Sequence, residues 1–392
     1  MTDYFRKFVH SEQAGGFLLL ICTIIALTLA NSEFANFFNG IWDQEAGFFA
    51  GSFKMRMSLR HWVDDGLMAV FFLLMGLEIK REVVSGELSS FKKAMLPGLA
   101  ALGGMIVPAL LFTAFNLGTE TQSGWGIPMA TDIAFSLAVL SLIKGVPRTL
   151  RIFLVTLAVA DDIGAIVVIA VFYSNAIQAL YLGAALIVVL ILLAMNKKGI
   201  LKLSYYLILG AALWLLILKS GIHATIAGVL LAFTIPYDSN DTSSPLHRLI
   251  SVLHTPVNFL ILPLFALANT GIVLEADFLG SLKSSDSLGI LTGLVLGKPI
   301  GILSTVFLAV KLRLAKLPSS IKLSDFIGIG FLCGIGYTMS IFIAGLAYEE
   351  QALIESSKIS VLTASLISAL LGLMYLSVKY YGKRKAAVQG QQ

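Results

Sequence analysis

Asp161 and Asp162 are the only acidic residues in the apolar run 150–173, and they stand side by side at its middle. Asp132 sits near the middle of a second run, 124–143, and Lys298 near the middle of a third, 287–310. A fourth, 326–347, carries Gly334-Ile335-Gly336 at its centre, with Tyr337-Thr338 following. Carboxylate and hydroxyl oxygens suit a hard monovalent cation, and a carboxylate also takes up a proton. A group that takes either ion, but not both, is sufficient to exchange a cation against protons. Neighbours on a helix point about 100° apart, so one aspartate faces an ion cavity while the other faces a partner such as Lys298. Thr131 supplies either a further hydroxyl ligand or a helix cap.

Of the 392 residues, 57% are hydrophobic and 13% charged, against about 25% charged in an ordinary soluble domain. That apolar content suffices for about eleven spans of roughly 20 residues each. A soluble enzyme, a nucleic-acid binder and a disordered chain all fit it poorly. Cys22 and Cys333 lie inside apolar runs, as packing residues rather than disulfide or metal partners. Hydropathy marks spans at 14–30, 59–79, 94–116, 124–143, 150–173, 177–195, 203–218, 222–235, 254–274, 287–310, 326–347 and 359–381. Lys219-Ser220-Gly221 separates the seventh from the eighth. The expected architecture is therefore an all-α polytopic membrane protein, a single domain of twelve transmembrane helices. Charge at the bilayer centre is costly. Asp132, Asp161, Asp162 and Lys298 fall at one depth with the glycine pair, which singles them out together.

Basic residues are retained on the cytoplasmic side of a membrane. One alternating set of loops holds 21 of the 28 Lys and Arg residues, the other holds 6, and Lys298 is inside a span. Both termini are thus expected in the cytoplasm, and the basic charge is a topology signal. A cleaved signal peptide over the first run would leave an odd number of spans. In the long outer loop that follows it, Phe53, Met55 and Met57 alternate with Lys54, Arg56 and Ser58, a period of two. Gly51-Ser52 offers a turn and Phe48-Phe49 a partner strand, so a β-hairpin is expected over 45–58, with an irregular lid as the alternative. An open hairpin edge can pair with a second copy of the chain.

The fourth and eleventh spans read as broken helices. Pro128 lacks a donor and crowds the preceding turn, while Gly334 and Gly336 weaken the helix through backbone freedom. The fourth span runs inward and the eleventh outward, which makes spans 3–5 and 10–12 inverted copies with a break in the middle member. Thr131-Asp132-Ile133-Ala134-Phe135 aligns with Thr338-Met339-Ser340-Ile341-Phe342. Two broken helices leave two positive and two negative ends in a low dielectric. Asp132 is expected to offset the positive ends and Lys298 the negative ones. Lys298 is also a candidate for proton exchange.

Several stretches together resemble the bacterial NhaA-type sodium/proton antiporter family. They are Leu67–Glu82 with its Gly76-Leu77-Glu78-Ile79-Lys80-Arg81-Glu82 end, Ala130–Phe135, Asp161-Asp162-Ile163-Gly164-Ala165, Leu218–Thr225, Gly297-Lys298-Pro299 and Cys333–Phe342. The similarity runs in order from about residue 10 to residue 380. It implies export of cytoplasmic Na+ or Li+ against external protons, with more protons than sodium per cycle, in a bacterial inner membrane and without a cofactor. It further implies that Asp162 is the main ion and proton ligand, that Asp161 alternates between Lys298 and the ion, and that homodimers form through the outer hairpin. Spans 3–5 and 10–12 would form the ion-binding bundle, and spans 1, 2, 8 and 9 an interface panel.

Glu78, Arg81 and Glu82 share one helix face at the cytoplasmic end of the second span. They form a cation-attracting, pH-sensing funnel by the resemblance, or a solvated helix end without it. His223 tunes the pH response by the same token, and Asp65 belongs to the ion path or to structure only. Ile250-Ser251 departs from the pattern of strongly pH-regulated members, which leaves His254 and Glu12 as nearby candidates and predicts a shallower or shifted pH profile. The rival within transport is a cation-coupled solute symporter on the same fold, which needs a roomier second site. An intramembrane aspartyl protease needs two aspartates facing one another from separate helices, and a channel needs a continuous pore.

Overall fold

The structure, a computed structural model, describes residues 12–50, 53–174, 177–241, 243–274, 280, 282–318 and 320–389. Seven helices are each long and apolar enough to cross a membrane: Phe91–Asn116, Arg148–Phe172, Ala179–Lys197, Leu203–Ser220, Pro245–Asn269, Ser285–Lys311 and Gln351–Tyr380. Three bent pairs raise the number to ten if each counts as one span. These are Ala14–Ala30 with Ala35–Asp43, Glu120–Met129 with Ile133–Leu142, and Asp325–Cys333 with Tyr337–Ala347. The twelve spans expected from hydropathy thus become seven to ten by length and composition among the described residues. The second falls short because its helix, Met68–Ser85, carries Glu78, Lys80, Arg81 and Glu82. The eighth yields only the nine-residue helix Ile226–Thr234, about 14 Å long at 1.5 Å per residue. Helix Ala179–Lys197 leaves Leu180, Leu186, Ile187 and Leu190 uncovered, the condition of a helix that meets lipid.

The chain divides into two compact units. The first comprises Met1–Leu19, Glu87–Ala165 and Leu274–Gln392; the second comprises Leu20–Gly86 and Ile166–Val273.

In the second unit the loop after the first helix forms the expected hairpin. Strands β1 (Glu45–Ala50) and β2 (Phe53–Ser58) pair antiparallel, with Phe48 opposite Met55. An Arg56–Glu45 ion pair crosses the strands, and the Trp62 indole donates to the Ala46 carbonyl at 2.9 Å. The turn residues Gly51-Ser52 lie outside the described residues. Helix Leu203–Ser220 ends where Gly221 takes the left-handed conformation, φ 86°, which glycine adopts without steric cost. Lys80 donates to the carbonyls of Phe233 (2.8 Å) and Ile235 (2.5 Å), at the C-terminal end of the short helix Ile226–Thr234. A cation there offsets the negative end of the helix.

In the first unit, helix Phe91–Asn116 lies against the run Ser285–Lys311. Gly103 and Gly301 let their backbones touch, since a Cβ on either would strike the other's carbonyl. That contact sets Gly104 against the aliphatic stem of Lys298. Helix Lys298–Lys311 follows a π turn, Gly293–Gly297, in which the Lys298 N–H donates to Gly293 five residues back. Pro299 accounts for the widening, because its ring crowds the carbonyl four residues earlier.

Candidate functional site

Both breaks form in the first unit, and they cross. The fourth span is a 3-10 helix, Glu120–Met129, then extended backbone at 130–132, then helix Ile133–Leu142, with a 47° bend. The break therefore opens just after Pro128 rather than at it. The eleventh runs Asp325–Cys333, breaks at 334–336 and resumes as Tyr337–Ala347, also bent by 47°. The glycines act differently from the sequence expectation. Gly334 (φ −71°) and Gly336 (φ −85°) sit in ordinary right-handed backbone, so conformational freedom is not what they supply. Gly334 is needed for space, because a Cβ would meet the Leu294 carbonyl oxygen.

At the crossing each span supplies what the other lacks. Asp132 N–H donates to the Ile335 carbonyl at 2.7 Å, and the Ser136 hydroxyl to the Leu332 carbonyl at 2.8 Å. In return the Ser340 hydroxyl donates to the Ile127 carbonyl at 2.7 Å. Ser136 and Ser340 stand four residues past the first residue outside each resumed helix, Asp132 and Gly336. Counting from the resumed helices pairs Asp132 with Gly336, three residues off the alignment of Thr131 with Thr338 suggested by the letters alone. Neither serine stood out in the sequence, where hydroxyls in apolar runs are common.

Asp132 closes both positive helix ends. One carboxylate oxygen accepts from Phe135 N–H at 2.9 Å, and the other from Thr338 N–H at 3.2 Å and from the Thr338 hydroxyl. A helix leaves its first N–H groups without internal partners, and one buried carboxylate here serves two helices. Asp132→Ala removes both caps. At about 0.5–2 kcal/mol for each cap, the expected loss is about 1–4 kcal/mol, read as a lower melting temperature of the purified protein. Asp132→Asn, which keeps acceptor capacity on one side, should lose less.

Lys298 does not reach a helix C-terminal carbonyl, as the sequence suggested it would. Its ammonium contacts Asp161 Oδ2 and, at 3.0 Å, the Thr131 hydroxyl. Thr131, rather than the lysine, meets a helix C-terminus. Its hydroxyl lies 2.6 Å from Asp161 Oδ2 and 2.9 Å from the Cys333 carbonyl at the end of helix Asp325–Cys333. The negative helix end is thus met through the threonine, with the lysine one atom further back. Low-dielectric burial makes an uncompensated charge expensive, and a lysine paired with a carboxylate meets that cost better than one facing a carbonyl dipole. Asp161 is 1% exposed, Asp162 2% and Lys298 0%. Asp161 Oδ1 is buried and has no hydrogen-bond partner, an acceptor of the kind a hard cation takes as ligand. Among the described residues no three His, Cys, Asp or Glu side chains group as a metal site; further oxygens for a sodium ion would have to come from hydroxyls and carbonyls, of which the crossing has several.

The other candidates, Glu12 excepted, fall in the second unit. His61 Nε2 pairs with Asp65 at 3.0 Å, and Trp214 donates to the Asp65 carbonyl at 2.9 Å. His223 Nε2 lies 2.5 Å from the Tyr173 carbonyl, so this nitrogen carries the proton of a structural hydrogen bond. Glu78 is half-buried, and Arg81 lies 3.5 Å from Glu82. His254 is exposed beside Asn258, Ile250 is buried, and the Ser251 hydroxyl donates within its own turn to Arg248. The Glu12 side chain lies outside the described residues.

Residues 6–376 match the family described as Na+/H+ antiporter 1. The Na(+)/H(+) antiporter NhaA 2 of Flavobacterium johnsoniae is 50% identical over 383 residues, 97% of this chain and 93% of its own. The Na(+)/H(+) antiporter NhaA of Cytophaga hutchinsonii is 48% identical over 379 residues, 96% of each chain. Among solved structures, the sodium proton antiporter MjNhaP1 from Methanocaldococcus jannaschii is similar in fold. It has a TM-score of 0.51 at 11% identity, covering 94% of this chain and 92% of its own.

Proposed function

The chain belongs to the Na+/H+ antiporter 1 family, and we propose that it carries out that exchange at Asp162 and Asp161. It is a multi-pass membrane protein and a secondary transporter, not an enzyme, and it exchanges Na+ for H+. The observation that carries the assignment of the site is the pair at the crossing. Asp161 spends one oxygen on Lys298 and Thr131 and keeps the other, Oδ1, buried with no hydrogen-bond partner, with Asp162 next to it in the same apolar helix. In the cycle we propose, a sodium ion entering between the two carboxylates draws Asp161 off Lys298. Protons arriving from the other side restore the pair and discharge the ion. More protons than sodium per turn make the exchange electrogenic. Reconstitution tests it. In vesicles with an acid interior, Na+ and Li+, but not K+, should collapse the pH gradient; no response to any of the three would overturn the exchange.

The finer architecture belongs to the same proposal. All twelve apolar segments cross the bacterial inner membrane, the short and the charged ones included, with both termini in the cytoplasm. Spans 3–5 and 10–12 are inverted repeats, a reading supported by the reciprocal hydrogen bonds of Ser136 and Ser340. Two copies pair through the open edges of β1 and β2.

Activity responds to pH, with Glu78, Arg81, Glu82, His223, His254 and Glu12 as the candidates and a shallower or shifted profile because of Ile250-Ser251. Lys80, just past the apolar run 59–79, joins them. Burial brings its pKa down to about 8. Its charge is present below that pH and lost above it, which removes one positive charge from the helix end that carries Glu78, Arg81 and Glu82. Attraction for Na+ at this helix end then strengthens as pH rises through about 8. Lys80→Arg, which stays charged, should flatten the fall in apparent KM for Na+ across that range. A profile unchanged from the parent protein would remove Lys80 from the pH response.

A further inference from the structure

Asp286 and Asp325 are two more buried aspartates of the first unit, and they are supplied differently. Asp325 accepts from the Lys379 ammonium at 2.7 Å, from the Tyr380 hydroxyl at 2.7 Å and from Lys322 N–H at 2.6 Å. That is the environment of an ionised carboxylate. Asp286, 2% exposed, has the Tyr348 hydroxyl 2.7 Å from Oδ1 and the Ser357 hydroxyl 2.9 Å from Oδ2, and among the described residues it is in no ion pair. Of the charged residues at the same end of the surrounding elements, Glu120, Lys283, Glu349, Glu350, Glu355 and Lys358, none forms an ion pair with it.

The proton count around Tyr348 decides the charge. Its hydroxyl also lies 3.0 Å from the Thr121 carbonyl oxygen, in the outer half of the broken fourth span. A phenol has one proton to donate, and with Asp286 ionised it faces two acceptors. With a proton on Asp286 Oδ1 the count closes: the carboxyl donates to Tyr348, Tyr348 donates to Thr121, and Ser357 donates to Oδ2. The arrangement is built in, because a Cβ at Gly124 would occupy the position of the Tyr348 hydroxyl.

We propose that Asp286 is a proton-binding site separate from Asp161 and Asp162, whose proton, donated to Tyr348, ties the outer half of the broken fourth span to the tenth, eleventh and twelfth. When the proton leaves to solvent, the Tyr348 hydrogen turns to the carboxylate, since a charge-assisted hydrogen bond is the stronger. The Thr121 carbonyl then loses its tie to Tyr348, and segment 117–130 loosens at the end opposite the basic loops. An alkaline exterior would act there, a statement that rests on the orientation proposed above; the measurement below does not depend on it.

Infrared titration of the full-length purified protein reads the group directly. The wild type should show a protonated-carboxyl C=O band that disappears in alkali, is missing from Asp286→Asn and shifts in frequency in Tyr348→Phe. Deuterium uptake by 117–130, corrected for intrinsic exchange, should rise at the pH where that band disappears and stay flat in Asp286→Asn, whose amide can still donate to Tyr348. Identical carboxyl spectra for wild type and Asp286→Asn at every pH would overturn the proton site. A titrating band with no change in uptake would overturn the coupling. Both readouts are independent of transport, so a failure of the sodium exchange would show in vesicles and not here.

Discussion

Asp162→Asn is expected to reduce Na+- and Li+-driven collapse of an acid-inside gradient to the level of protein-free vesicles. Asparagine keeps the size and one carbonyl oxygen but neither carries charge nor takes up and releases a proton. Exchange by competition needs a single group that binds Na+ in one half of the cycle and H+ in the other. Removing that group leaves the cavity without its reason to turn over. The position favours a loss of function over a loss of fold. Asp162 is 2% exposed, and burying a neutral amide costs far less than burying a carboxylate, so the variant should reach the membrane in normal amounts. Wild-type exchange in correctly inserted Asp162→Asn would move the carrier role to Asp161.

The second large effect concerns stability. Lys298→Met leaves Asp161 buried and charged, with only the Thr131 hydroxyl beside it. Breaking a buried ion pair from one side costs about 3–5 kcal/mol, whereas removing both charges together is often nearly neutral. Lys298→Met should therefore lower the melting temperature of the detergent-solubilised protein sharply, and Lys298→Met with Asp161→Asn should recover most of the loss. Both variants should be inactive in vesicles, so recovery of stability without recovery of exchange separates the two roles of the pair. A double variant as unstable as Lys298→Met would mean that the lysine stabilises through contacts other than Asp161, such as its stem against Gly104.

The hairpin was legible because a period of two in Phe53–Ser58 favours a strand over an irregular lid, and the strand found, Glu45–Ala50, contains the expected Phe48-Phe49. The breaks were legible from Pro128 and the Gly334–Gly336 pair, although helix Phe91–Asn116 carries Pro97 and Pro108 without breaking. The π turn before Lys298 had a visible signal too, Pro299 inside the run 287–310, but a proline does not say whether the ladder kinks, widens or stops. Helix covers only part of the eighth apolar run, 222–235: His223, Ala224 and Thr225 precede it in turns, and the helix starts at Ile226.

By itself the sequence singled out the charged residues inside its apolar runs. A charge in hydrocarbon is costly whatever surrounds it, so Asp132, Asp161, Asp162 and Lys298 stand out without any knowledge of their partners. Partnership is a different kind of fact. Asp161 and Lys298 are 137 residues apart, and Asp132 and Thr338 are 206 apart. Adjacent aspartates on one helix are chemically identical letters, and only the packing of helix Arg148–Phe172 beside Thr131 and Lys298 singles out Asp161 as the lysine's partner. The same crossing makes Asp132 a double cap and gives Ser136 and Ser340 carbonyls to satisfy. Local pattern sets what each segment cannot leave exposed; the long-range packing of the segments sets what covers it.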